Sequence, residues 1–282
     1  MEIIKNVKEM QKKASQAKKQ GKKICFVPTM GFFHEGHITL MREGRKLADI
    51  LAISIFVNPT QFSQGEDLDV YPRDLKGDIE KIKDIGVDWV FAPSASEMYP
   101  EGFQSYVIVE KVTRNLCGKF RPGHFRGVAT ICLKLFNIIK PDLAVFGEKD
   151  FQQLVTIKQM VKDLNLDLKV IGVPTVREKD GLAMSSRNIY LTPNERKKAL
   201  AIFRSLKEAN EMFKKGERKA IPIIKHVREI LEKENGISID YVQICDINTI
   251  EDIDKIDKKA LLAVAVRIGS ARLIDNIILG RD

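Results

Sequence analysis

Residues 24–57 read ICFVPTMGFFHEGHITLMREGRKLADILAISIFV, and their pattern decides the fold. Ile24-Cys-Phe-Val27 is a short apolar run that ends in Pro28-Thr-Met-Gly31, as a buried strand breaking into a turn would. Residues 37–48 then place Ile38, Leu40, Met41, Leu47 and Ala48 at helical spacing. Ile50–Val57 is apolar at nearly every position, which predicts a strand covered on both faces, as in a parallel sheet.

Downstream the alternation continues. Helices are expected near 75–85, 125–139 and 151–163, and strands at Trp89–Phe91, Tyr106–Val109, Leu143–Phe146 and Leu168–Val173. Strands alternating with helices predict a doubly wound α/β domain ending near residue 175. Beyond it lies a polar, glycine-containing segment, Arg177–Asn188. Helix-rich stretches at about 193–215 and 220–235 follow, then strand-like runs at Ile237–Ile244 and Leu261–Ile268, and finally Arg272-Leu-Ile-Asp-Asn276. This reads as a smaller α+β domain, so the expected division is 1–175 and 176–282. There is no internal repeat and no low-complexity segment.

Upstream, residues 1–23 hold eight lysines against Glu2 and Glu9, and supply +6 of the formal net charge of +9 in 282 residues. Val7, Met10, Ala14 and Ala17 recur there at three- and four-residue steps, so the lysines fall on the outer face of an amphipathic helix. A pI of about 9.2 therefore reflects a solvated helix face, and no nucleic-acid partner is expected. No apolar run approaches a membrane span, and the N-terminus lacks an apolar signal core, so no membrane association and a cytoplasmic location are expected. Cys25, Cys117, Cys132 and Cys245 lie far apart without C-x-x-C spacing, which reads as four small buried side chains.

Four junctions carry residues suited to chemistry. In Pro28–His37 a strand, a glycine turn and a helix N-terminus bring free backbone N–H groups and a positive dipole end to one place, which suits phosphate oxygens. His34 and His37, three residues apart, can share one side of the first helical turn and donate to a triphosphate; the alternatives are a metal pair, for which no third His or Cys lies near, and that one of them caps the helix. Phe146-Gly-Glu-Lys-Asp-Phe-Gln-Gln153 occupies another strand-to-helix junction. Lys149 suits phosphate charge, Asp150 a Mg²⁺ carried by a nucleotide, and Gln153 a hydroxylated substrate, although the composition is also that of an ordinary turn. Asp180-Gly-Leu-Ala-Met-Ser-Ser-Arg-Asn188 pairs hydroxyls with a fixed cation in a loop that could close over phosphates. After the most strand-like run comes Phe56-Val-Asn-Pro-Thr-Gln-Phe62, where Gln61 would stand over the crevice and Asn58-Pro59 could merely end the strand. Asp67, Asp69 and Arg73 read as loop ion pairs.

The motifs PTMGFFHEGH, FVNPTQF, DLDVYPR, LCGKFRPGHFRGV, GEKDFQQ and DGLAMSSRN stand in this order. With them the chain resembles, over its whole length, the pantothenate synthetase (pantoate–β-alanine ligase) family of the nucleotidyltransferase-like superfamily. The resemblance implies a Rossmann-like ATP- and pantoate-binding domain, a smaller C-terminal α+β lid domain, and a homodimer. It implies ATP, with Mg²⁺, joining (R)-pantoate to β-alanine through pantoyl adenylate and releasing AMP and pyrophosphate. Met30, Gly31, Phe32, Phe33, His34, Glu35, Gly36 and His37 would line the ATP site, with His37 as proton donor or α-phosphate stabiliser. Gly147, Glu148, Lys149, Asp150, Val176, Met184, Ser185, Ser186 and Arg187 would complete it, with His34, Lys149 and Arg187 sharing the catalysis. Gln61 and Gln153 would hold pantoate, Gln61 lying also near β-alanine. No metal ligands are assigned. Phe33 departs from the smaller aliphatic residue of many members, and its position suggests packing. Three other readings share parts of the pattern: a transferase of AMP or CMP to a phosphorylated alcohol, a class I aminoacyl-tRNA synthetase relic, and a non-catalytic nucleotide sensor.

Overall fold

The computed structural model describes residues 1–281 and divides into two compact units. The first comprises Met1–Val109, Arg121–Glu148 and Thr156–Pro174; the second comprises Glu110–Phe120, Lys149–Val155 and Thr175–Asp282. The chain thus crosses between the units several times.

The first unit is built on a six-stranded sheet in which every pairing is parallel. In chain order it contains β1 (Glu2–Ile4), α1 (Val7–Lys19), β2 (Ile24–Thr29), α2 (Glu35–Arg45), β3 (Ile50–Ile55), α3 (Leu75–Ile82), β4 (Trp89–Phe91) and α4 (Ala95–Met98). After α5 (Cys117–Phe120), which lies in the second unit, come α6 (His124–Ile139), β5 (Leu143–Gly147), α7 (Phe151–Asp163), whose residues up to Val155 belong to the second unit, and β6 (Lys169–Val173). The spatial order β1-β4-β3-β2-β5-β6 makes β2 the strand at which the winding reverses. Ligands of open α/β sheets gather beyond the carboxyl ends of strands at such a reversal. The turns after β2, β3 and β5 leave from that edge.

The continuous apolar run at 24–27 is explained by cover on both faces. Cys25 and Val27 pack into one cluster with Ile38 and Met41 of α2 and Ile82 of α3. On the other face Phe26 meets Phe136 of α6 edge-on, ring centroids 6.4 Å apart. One expectation is met and one is corrected. The amphipathic N-terminal helix is present from Val7, where the Asn6 side chain accepts the Glu9 N–H, and it buries Met10, Ala14 and Ala17; Glu2–Ile4 ahead of it forms an edge strand on β4. With Ile4 its one buried residue, that strand carries no period to read. Tyr106–Val109 forms no strand, because the Val107 N–H is taken by the Thr130 hydroxyl at 2.9 Å and Ile108 faces solvent.

In the second unit α8 (Pro193–Lys214) and α9 (Ala220–Glu232) cover an antiparallel sheet of β7 (Ile237–Asp246), β8 (Ala260–Ile268) and β9 (Ala271–Leu279). Thr192 and Glu195 form a reciprocal capping box, and Pro193 opens α8 where no N–H is needed. All four cysteines are buried and free; burial pushes the Cys25 and Cys132 thiols up to about 12, so both stay neutral. No helix among the described residues is long and apolar enough to cross a membrane.

Candidate functional site

In the first unit the turn after β2 is fixed before it reaches the helix. The Thr29 hydroxyl donates to Ser54 O at 2.5 Å and accepts the Gly31 N–H at 3.2 Å. Gly31 has φ +82°, and a Cβ there would stand 2.9 Å from Asp78 Oδ2 and 3.0 Å from Ile55 Cγ2. Phe32, although not glycine, holds φ +53°. Its N–H donates to Asp78 Oδ2 at 2.7 Å, and the Phe33 N–H donates to Oδ1 at 2.6 Å. Burial raises the Asp78 carboxyl above its ordinary value, with these two N–H bonds and nearby Lys81 pulling the other way. Lys81 of α3 donates to Phe33 O at 2.8 Å and lies over the Phe32 ring. Phe33 is a core residue, as its position suggested.

His34 is the N-cap of α2. Its Nδ1 accepts the Gly36 N–H at 3.1 Å, and its own N–H donates to His37 Nδ1 at 3.4 Å. The two rings lie 4.1 Å apart at 30°. Capping and chemistry are therefore compatible. With each Nδ1 accepting, a neutral imidazole carries its proton on Nε2, which becomes the donor of each ring.

Gln61 follows β3 on a short 3-10 turn, Pro59–Gln61. Asn58, nearly fully buried, is the hub there and does more than end a strand. It donates to Gln61 Oε1 at 3.0 Å and to Gly127 O at 3.1 Å, and accepts from Tyr99 OH at 2.7 Å and from Thr60 Oγ1 at 3.0 Å. The Gln61 amide reaches Met30 Sδ at 3.1 Å, so the turns after β2 and β3 meet. Behind it, His124 Nδ1 donates to Gln61 O at 2.7 Å, while His124 Nε2 takes Arg121 NH1 at 3.1 Å. Burial works against ionisation of Glu66, yet its bonds to Arg121 hold that carboxyl below its ordinary value. The RPGHFRG stretch is thus support for Gln61. Gly147 ends β5, the strand paired with β2, and Glu148 opens the 3-10 turn that follows.

In the second unit Lys149 and the exposed Asp150 lead into α7. Gln152 and Gln153, adjacent in sequence, separate in role. Gln152 is buried; it accepts the Cys117 N–H at 3.0 Å and donates to Val112 O at 3.0 Å and Asn115 O at 2.7 Å, whereas Gln153 is half-buried. The 176–188 segment is a pinned hairpin. The Met184 N–H donates to Val176 O at 3.0 Å and the Glu178 N–H to Leu182 O at 2.8 Å. The Asn188 amide donates to Glu178 Oε1 at 2.8 Å, and Arg196 bonds both Glu178 and Asp180 at 2.7 Å. Ser185 Oγ accepts the Arg187 N–H at 3.3 Å, opening a 3-10 turn over Ser186–Tyr190. Among the described residues no three His, Cys, Asp or Glu side chains are grouped to hold a metal.

A parallel sheet whose central strand delivers a capped histidine turn to its carboxyl edge is the frame of a doubly wound α/β enzyme. The family is settled by likeness: the model described as Pantoate-beta-alanine ligase matches residues 2–278, and the chain belongs to that family. It is 55% identical over 282 residues to a pantothenate synthetase of Syntrophus aciditrophicus, covering 100% of this chain and 99% of that one. It is 54% identical over 282 residues to one of Geobacter sulfurreducens, covering both in full. A crystal structure of pantothenate synthetase from Thermus thermophilus superposes with TM-score 0.94 at 42% identity, over 98% of this chain and 99% of that chain. The Francisella tularensis pantoate-beta-alanine ligase, solved with beta-gamma ATP and beta-alanine, gives 0.82 at 35%, over 100% and 99%. The chain is accordingly a ligase joining pantoate to β-alanine, and the sensor reading falls away.

Proposed function

We propose that this chain makes pantothenate in two steps on ATP, with the histidine turn after β2 as the site of α-phosphate chemistry. The observation that carries the proposal is that turn. Its backbone is fixed by Asp78, and it presents the N-terminus of α2 and two imidazoles whose Nε2 atoms are donors. In the first step a pantoate carboxylate oxygen attacks the α-phosphorus, the bond to the bridging oxygen breaks, and pyrophosphate leaves. In the second the β-alanine amine attacks the activated carbonyl, the C–O bond to AMP breaks, and the amine loses a proton as the amide forms. The chemical logic is leaving-group exchange: an oxyanion of carboxylate leaves poorly, and AMP leaves well.

Met30 to His37, Gly147, Glu148, Lys149, Asp150, Val176 and Met184 to Arg187 bind ATP. His37 donates to the reacting phosphate with His34 beside it, and Lys149 and Arg187 offset the charge of the leaving pyrophosphate. Gln61, oriented by Asn58, binds pantoate and lies near β-alanine; Gln153 binds pantoate. Mg²⁺ bound with ATP neutralises phosphate charge. The exposed Asp150, without a caged carboxylate cluster, fits an ion that arrives on phosphates and keeps most of its waters. The family likeness further supports a cytoplasmic homodimer, with residues 176–282 as a smaller lid domain that limits loss of the adenylate to water.

Single-turnover quench kinetics test the reading. His37→Ala is expected to slow adenylate formation by about 100-fold or more while β-alanine binding changes little. An unchanged adenylation rate removes His37 from the role. Omitting each substrate in turn tests the order: pyrophosphate release should need pantoate but not β-alanine.

A further inference from the structure

Asp275 and Asn276 stand side by side on β9 and are buried, 3% and 7% exposed. Arg177 grips the Asp275 carboxylate with two bonds, NH1 to Oδ2 at 2.5 Å and NH2 to Oδ1 at 2.9 Å, and the Asn276 N–H donates to Oδ1 at 2.7 Å. Arg177 begins the 176–184 hairpin, and it also reaches the far end: NH1 donates to Gly181 O at 3.2 Å. Its guanidinium lies 4.1 Å from the centroid of the Phe203 ring. Gly181, at φ +98°, makes room for that stack, since a Cβ there would fall 2.1 Å from Phe203 Cδ1. Chain leaving the hairpin is Met184-Ser-Ser-Arg187. In the other direction the Asn276 amide donates to Lys149 O at 2.9 Å. Lys149, Ser185, Asn188 and Asp275 line one small cavity of about 10 Å³.

We infer that Asp275 and Asn276 are positioning residues for the ligation: from one strand they fix both the Lys149 turn and the hairpin that delivers Arg187, and so set the spacing of the two cations. The inference rests on the assignment of Lys149 and Arg187 to ATP made above. Its physical basis is preorganisation. Two cations on separate loops offset the charge of a phosphate chain only if their separation is set before the substrate arrives, and a planar fork on a buried carboxylate fixes both distance and direction. Neither residue need touch substrate to do this.

Asp275→Asn keeps the shape but turns an amide NH₂ toward a guanidinium that can only donate. Pantoate-dependent pyrophosphate release is expected to fall about 100-fold in Asp275→Asn and about 10-fold in Asn276→Ala, with a raised KM for ATP and little change for pantoate. The decisive readout is a cycle with Lys149→Ala/Arg187→Ala. In that background either substitution should add less than about 3-fold, because what it positions is gone. If the double variant itself keeps full activity, the assignment of the two cations is wrong and the inference falls with it. If the double variant is impaired and Asp275→Asn still multiplies the loss in full, the inference alone is overturned. Circular dichroism and a thermal melt establish folding. Should Asp275→Asn fail to fold, Asn276→Ala runs the same cycle, and full multiplication there overturns the inference equally.

Discussion

The turn at 31–37 and the hairpin at 176–188 both carry residues assigned to the nucleotide, yet they are held by opposite devices. The turn presents backbone N–H groups and imidazoles, and its anchor, Asp78, accepts two neutral N–H donors. The hairpin presents side-chain cations. It carries Arg177, Lys179 and Arg187 together with Glu178 and Asp180, and it is anchored through ion pairs: Asp275 on Arg177, and Arg196 on Glu178 and Asp180. A segment that works through its backbone is shaped by hydrogen bonds. A segment that works through charge must first have its surplus charge balanced, or the cations would repel one another out of place.

The largest effect that can break this contrast is at Asp78. Asp78→Ala leaves two buried N–H groups unpaired and releases Phe32 from its left-handed conformation. Adenylation is expected to slow about 100-fold, with a stability loss of about 2–4 kcal/mol in a urea titration. Asp78→Asn keeps one acceptor and should lose clearly less, because neutral donors need no charge opposite them. Asp275→Asn leaves Arg177 buried against an uncharged partner and should cost more. If Asp78→Asn is as damaging as Asp275→Asn, the turn depends on charge after all and the contrast fails.

The same contrast explains what the sequence makes legible. Apolar runs and helical spacing carry the parallel sheet and the smaller α+β unit, because periodic burial is written locally. The His34–His37 turn is legible for the same reason, its residues lying three apart. Asp78 is not, since its partners are main-chain atoms 45 and 46 residues away, which any side chains would supply. One signal exists: Asp78 and Ile82 are four apart on α3 and both are buried, so a carboxylate lies on the helix's apolar stripe. Asn58 reads as a turn residue because its bonds to Thr60 and Gln61 are those of a turn, while its bonds to Tyr99 and Gly127 reach 41 and 69 residues away and leave no local pattern. Asp275 and Asn276 stand in the short stretch after the two strand-like runs, and their partners at 149 and 177 come together only in the fold.

Adjacent glutamines give a sharper test of smaller size. Gln152→Ala removes three bonds from the buried amide and should lower Tm by several degrees, while the KM for pantoate stays within about 2-fold. Gln153→Ala should do the reverse, raising the KM for pantoate about 10-fold with little change in Tm. A melt beside a pantoate titration for each variant separates them, and a pantoate effect confined to Gln152→Ala would reassign the substrate contact.

The smallest effect lies in the pH dependence, where Asp180 of the hairpin and Asp78 behind the turn should respond with opposite sign. Asp180 is held below its ordinary value of 3.8, chiefly by its bond to Arg196. A lowered native pKa means that the unfolded chain binds protons more readily, so this stabilisation exists above 3.8 and is lost as pH falls through the native value. Burial raises Asp78, so the native state is the better proton binder there; its contribution is greatest below 3.8 and declines as pH rises through the raised value. Thermal melts from neutral pH to below 3.8 should therefore show the gap between wild type and Asp180→Asn narrowing on acidification, by about 2 °C in all for so exposed a pair. The gap between wild type and Asp78→Asn should widen over the same range. Gaps that move together would mean that both anchors work through charge, and the distinction between a hydrogen-bonded turn and a charge-balanced hairpin would have to be given up.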